Sequence, residues 1–217
     1  KDMDKAEEFY KRAIEADPKH ANTLGNYAVF LCDERKDMDK AEEFYKRAIE
    51  ADPTHANNLG NYATFLCDER KGMDKAEEFY KRAIEADPKH ANTLGNYAQF
   101  CFLRNRHDEG IRFLRLAELL NPKAHDLQVE LVFYHLAHDS EAWPAGLDQM
   151  ANLLASGARS LGWDLDGNVS KARDSGHPNP KLLAAISDVI SKGAPLESLD
   201  RFPEWAALGK ANEKHQP

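Results

Sequence analysis

A chain of 217 residues is long enough for one or two globular domains, and no run of about 18 apolar residues offers a membrane-spanning helix. Its net charge of −8 disfavours a nucleic-acid partner, because phosphate binding needs a basic surface that releases counterions. Three cysteines (Cys32, Cys67 and Cys101) are an odd number without Cys-x-x-Cys spacing, so they read as small, buried, reduced side chains rather than a disulfide framework or a redox pair.

The first 35 residues, KDMDKAEEFYKRAIEADPKHANTLGNYAVFLCDER, return at Lys36–Arg70 with changes only at Thr54, Asn58 and Thr64. A third close copy runs from Lys71 to Phe100 before the chain becomes less regular. A period of this length marks a solenoid, in which each repeat buries its apolar face only against its neighbours.

Within the unit, Ala6, Phe9, Tyr10, Ala13 and Ile14 form the stripe of an amphipathic helix over Asp4–Ala16. Asp4 is expected to cap it, with Glu7 completing a capping box, and Asp17-Pro18 ends it. Leu24, Tyr27, Ala28 and Leu31 form a second stripe over Ala21–Cys32, and Phe30 adds bulk beside it. The same alternation predicts helices at Met38–Ala51, Ala56–Cys67, Met73–Ala86 and Ala91–Phe102. Diverged helices follow at His107–Leu120 and Ala124–His138.

From Asp139 the composition changes. A helix is expected from about Pro144 to Ser156, and shorter ones at Val169–Asp174, Pro180–Ser191, Pro195–Leu199 and Pro203–Leu208, with Ala211–Pro217 frayed. Trp163, Trp205, Leu182, Leu183, Ile186, Val189, Ile190 and Phe202 are expected to close a helical cap over the end of the array. The fold class is therefore all-α: an α-solenoid of antiparallel helical hairpins over residues 1–138 and a C-terminal helical cap over 139–217.

The order and spacing of Leu24, Tyr27, Ala28, Leu31, Ala41, Tyr45, Ala48 and Pro53 resemble the signature of the tetratricopeptide repeat. The departures are a 35th residue in the turn between helices, leucine at the first large position (Leu24, Leu59, Leu94), and alanine at the usual close-packing glycine. A surface turn absorbs one added residue cheaply. The resemblance implies a non-catalytic scaffold that binds a peptide or partner helix in the groove along its first helices.

The groove-lining positions of that family correspond here to Asn22, Asn26 and Val29, then Asn57, Asn61 and Thr64, then Asn92, Asn96 and Gln99. An amide offers both donor and acceptor, so one per repeat can grip the backbone of an extended peptide. Asn26, Asn61 and Asn96 resemble the asparagine ladders of other members, and asparagine is unfavourable in mid-helix. Asn22, Asn57 and Asn92 serve equally well as starts or caps of the first helices. The adjacent groove residues are Gly25, Gly60 and Gly95, and no lysine or arginine occupies the places that a carboxylate-clamping variant would fill with cations, so capture of acidic C-terminal tails is disfavoured.

His20, His55 and His90 recur at the repeat period, but packed helices stand about 8–10 Å apart, too far for shared metal ligation. They read as helix-entry residues. Asp164–Asn168 looks like the start of a calcium loop, yet Val169 and Ser175 occupy the places of the required glycine and glutamate, and Asp166 reads better as a helix cap. His177, Asp174 and Ser175 lack the spacing of a catalytic triad. No metal, cofactor or catalytic residue is expected, and no membrane partner. No charged-then-apolar leader opens the chain, so a cytoplasmic setting is expected. Because the chain opens in mid-repeat, two further readings stay open: a sensor or regulatory portion of a larger protein, and self-association through the unpaired first helix.

Overall fold

A computed structural model of the chain describes residues 2–138, 143–161 and 165–213, with residue 144 and residues 209–213 described by backbone alone. The described residues form twelve α-helices and a short 3-10 turn, without a strand. They divide into two compact units, Lys1–Phe100 and Cys101–Pro217. This division follows packing. The expected boundary at 138/139 followed composition.

In the first unit, α1 (Asp2–Ala16), α2 (Ala21–Asp33), α3 (Met38–Ala51), α4 (Ala56–Asp68) and α5 (Met73–Ala86) lead into α6 (Ala91–Leu103). From α2 onward each expected stripe is the buried one. Leu24, Tyr27, Ala28 and Leu31 pack with Ala41, Tyr45 and Ala48, and the next repeat does the same with Leu59, Tyr62 and Ala63. The alanines are fully buried, as close helix approach requires. Aromatic rings weld the repeats: Tyr45 lies 5.6 Å from Tyr62 and 5.4 Å from Phe65, and Tyr80 lies 5.6 Å from Tyr97 and 5.5 Å from Phe100.

The helix starts differ from expectation. Asp4 lies inside α1, and in the next copy the cap is Asp37, whose Oδ1 accepts from Lys40 N at 3.2 Å. The carboxylate at the expected capping place, Asp39, is engaged instead by Arg70 at 2.6 Å. Arg70 also donates to Glu42 and to the Met38 carbonyl, and Arg35 repeats the clasp on Asp4 and Glu7. These arginines leave the turn after each first helix and reach the preceding second helix. The 35th residue is absorbed in that turn by left-handed backbone at Lys36 (φ 54°) and Lys71 (φ 52°).

α1 has no buried residue, and Phe9 is 66% exposed. Its counterparts Phe44 and Phe79 pack edge-on against Tyr27 at 4.7 Å and Tyr62 at 4.8 Å.

The second unit is built around α8 (His125–His138), which packs with α7 (His107–Leu120), α9 (Trp143–Ala155), α10 (Asp166–Asp174) and α11 (Pro180–Ser191). Val129, Phe133, Leu136, Met150, Leu154, Leu183, Ile186 and Ile190 form its core. Leu182 and Val189 are buried with them, Trp205 nearly so, and Phe202 is half-buried. A 3-10 turn (Leu196–Leu199) precedes α12 (Pro203–Glu213), which continues past Leu208 to the first three residues of the stretch expected to fray. α10 starts three residues before the expected Val169, and Asp166 is its first residue rather than its cap; its carboxylate meets Lys192 at 3.0 Å. Asp139, Trp163, Asp164 and the final residues 214–217 lie outside the described residues.

Candidate functional site

Three of the predicted site residues stand on each of α2, α4 and α6, and all belong to the first unit. The structure brings Val29, Asn61, Thr64 and Asn96 to one open depression of about 220 Å³, bordered also by Cys32, Asp33, Tyr45, Phe65, Asp68 and Glu69. Asn26 sits one turn before Val29 on α2 and is exposed. Asn22 and Asn92 are exposed at the second position of their helices, Asn57 is half-buried there, and none borders the depression. Gln99 is half-buried.

The amides are not equivalent. Asn26 and Asn61 have no side-chain hydrogen-bond partner among the described residues, so their donors and acceptors are open to a ligand. Asn96 donates to Thr64 Oγ1 at 3.2 Å. Thr64 in turn hydrogen-bonds the Gly60 carbonyl at 3.2 Å and the Tyr80 hydroxyl at 2.9 Å. The varying position thus does more than shape a pocket: threonine holds the next repeat's asparagine in place, and Val29 cannot.

Sequence reasoning missed Asn58. Its Nδ2 donates to the Ala21 carbonyl at 2.9 Å, tying the starts of successive first helices, while its Oδ1 is buried without a partner. The signal was available, because position 58 is one of three that differ between the first two copies. The same contact corrects the reading of the glycines. Gly25, Gly60 and Gly95 are buried rather than groove-lining; a Cβ on Gly25 would run into Asn58, and one on Gly60 would stand 2.8 Å from Thr93 Oγ1.

The periodic histidines have a local task. His20 and His55 are the N-caps of α2 and α4, accepting from Thr23 N at 3.2 Å and Asn58 N at 3.3 Å through Nδ1. His90 accepts from Thr93 N in the same way. An acceptor Nδ1 means a neutral ring protonated at Nε2. This is the capping role that the sequence left open for Asn22, Asn57 and Asn92.

The depression is negative. Asp33 and Asp68 are the last residues of α2 and α4, and Glu69 follows directly. Burial, then Asp33 and Glu69, pushes the Cys32 thiol up to about 11, so it stays protonated. Burial and Asp68 do the same to Cys67. All three cysteines are free.

In the second unit, His177 accepts from Asn179 N through Nδ1 at 3.1 Å and donates through Nε2 to the Leu136 carbonyl at 2.8 Å, which makes it a neutral structural clip. Burial lowers its pKa in keeping with that state. Among the described residues no group of three or more His, Cys, Asp or Glu side chains is placed to hold a metal, and no helix is long and apolar enough to cross a membrane.

One family model and several solved structures are similar to this chain. A family model described as tetratricopeptide repeat matches residues 1–59 and 69–131. No curated protein sequence matches the chain. Among solved structures, Pseudomonas aeruginosa pilF is similar at 17% identity with a TM-score of 0.62, covering 99% of this chain and 90% of its own. PilW, described as a type IV pilus biogenesis factor, is similar at 16% identity and a TM-score of 0.63, covering 95% and 90%. YrrB, described as a tetratricopeptide-repeat protein with an unusual peptide-binding site, is similar at 13% identity and a TM-score of 0.56, covering 94% and 97%. At these identities the likeness is one of fold.

Proposed function

The chain belongs to the tetratricopeptide repeat family, generally a family of protein-interaction scaffolds, and from that premise we propose that its first unit holds an extended peptide along α2, α4 and α6. The observation that carries the reading is the pair of mid-helix amides, Asn26 and Asn61, left without partners beside an open depression. Each costs helix propensity and returns no hydrogen bond to the fold. Val29, Phe65 and Cys32 supply apolar contact, and Asn96, positioned by Thr64, extends the amide row. Asn22, Asn57, Asn92 and Gln99 flank the peptide. Residues 139–217 close the array, and the protein works as a scaffold without catalysis, alone or as the regulatory portion of a larger protein. The three free cysteines suit a reducing compartment such as the cytoplasm.

Random-peptide display on the intact chain tests this, run in parallel on the Asn26→Ala/Asn61→Ala variant. Peptides enriched on the parent should bind the variant about tenfold more weakly, the worth of one or two lost hydrogen bonds, with thermal unfolding unchanged. Equal affinity for both proteins, or no enrichment on the parent, contradicts the reading.

A second reading, self-association through α1, is favoured by the 66% exposure of Phe9 where Phe44 and Phe79 are covered by tyrosine. Light scattering should give a mass that rises with concentration and does so less in Phe9→Ser. A strict monomer over a hundredfold concentration range, about 1 to 100 μM, removes it.

A further inference from the structure

Val29 in the first copy becomes Thr64 in the second, and the structure shows what that exchange does. In the second copy Thr64 Oγ1 is engaged twice, by the Tyr80 hydroxyl at 2.9 Å and by Asn96 Nδ2, which donates to it at 3.2 Å. The first copy has the same tyrosine and the same asparagine, Tyr45 and Asn61, but valine in the threonine's place. A valine methyl neither donates nor accepts. Tyr45 is 3% exposed, borders the depression together with Val29 and Asn61, and its hydroxyl has no hydrogen-bond partner among the described residues. A polar atom on so buried a side chain ordinarily has one. Burial, then the neighbouring Cys32 and Asp33, push the Tyr45 pKa up, so the hydroxyl keeps its proton and remains a donor.

We propose that Tyr45 is a peptide-binding residue: its hydroxyl and the Asn61 amide N–H both donate to one backbone carbonyl oxygen of an extended peptide, and Val29 is what leaves them free to do so. A carbonyl oxygen suits two donors because it has two lone pairs and no proton of its own, and Asn61 Oδ1 remains to accept a peptide N–H. The inference rests on the peptide reading and adds to it a contact residue, the group that is gripped and the residue that governs the grip. The two copies then differ in task although their donors are the same. Thr64 ties Tyr80 and Asn96 into the fold, whereas Val29 leaves Tyr45 and Asn61 to a ligand. An exchange of nearly equal shape, valine for threonine, sets which pair binds.

The probe is one fluorescein-labelled pool of random peptides, enriched on the intact chain and read by anisotropy on that chain and on Val29→Thr, Tyr45→Phe and Asn61→Ala. Tyr45→Phe removes a hydroxyl that the fold does not use, and Val29→Thr keeps the side chain's shape, so thermal melts should match the parent. Val29→Thr should weaken binding about tenfold by engaging both donors within the fold, although it removes no contact group. Tyr45→Phe should weaken it about fivefold, the worth of one hydrogen bond, and the two changes together should cost no more than Val29→Thr alone. With no peptide present, Val29→Thr should also slow exchange of the Asn61 side-chain amide protons with water. Parent-like affinity in Val29→Thr or in Tyr45→Phe overturns the inference, and so does unchanged Asn61 exchange in Val29→Thr. If Asn61→Ala still weakens binding in those cases, the peptide reading stands without it. A pool that yields no binding to the intact chain overturns both.

Discussion

Glu130 is a costly residue for the fold, a carboxyl buried in the second unit. It lies on α8 with no exposed surface, accepts a hydrogen bond from Ser160 Oγ on one oxygen, and leaves the other, Oε2, without a partner. Burial pushes its carboxyl up to about 8, so at neutral pH it is largely protonated. Its unfolded pKa is that of an ordinary glutamate, so between pH 4.5 and about 8 the folded chain holds a proton that the unfolded chain has released. Stability therefore falls as pH rises through that window. His107, His138 and His177, held below 6.5 by burial, act in the opposite sense, and their contribution is lost as pH falls below that value. Above pH 6.5 the glutamate acts without them. Urea unfolding of the second unit should lose about 2 kcal/mol between pH 6.5 and 8, and Glu130→Gln should abolish most of that slope. An unchanged slope in the variant would show that Glu130 is ionised in the fold.

At the scale of the element, the helices of the repeats were legible because period and stripe agree three times over. Met38–Ala51, Met73–Ala86 and His107–Leu120 match the stripes that predict them residue for residue. The turns were less legible. Nothing in Arg35-Lys36-Asp37 announces that a lysine takes left-handed backbone, because the alternative was to spread an added residue over a longer loop. Nor did Asp4 declare itself an ion-pair partner, since a capping aspartate and a first-turn aspartate look alike until Arg35 is seen to reach it from 31 residues away. α8 was under-read for a different reason. Buried on most of its circumference, it has no polar stripe, and its one charged residue in the core, Glu130, reads from sequence as surface. The site was legible in part. Asn61, Thr64, Asn96 and Val29 do meet, but the link from Asn96 to Thr64 depends on a distance between helices that spacing alone does not supply.

On the scale of the whole molecule, two units share one family. The regular one carries every residue of the proposed groove, while the family match continues to residue 131 in the other. In the second unit the polar side chains with irregular surroundings, Glu130, His138 and His177, are used by the fold itself: to Ser160, to Asn168 and to the Leu136 carbonyl. In the first, the side chains that the fold does not use, Asn26 and Asn61, stand on the first helices, the second of them at the depression. That contrast is the central claim: the repeat keeps its spare hydrogen bonds where a peptide would lie. Side-chain amide resonances, assigned by single substitution and followed while a display-selected peptide is added, test it most directly. The account predicts that the Asn26 and Asn61 amide protons shift and slow their exchange with water, and do so more than those of the flanking Asn22 and Asn92. Shifts confined to Asn22 and Asn92, or to the second unit, would contradict it.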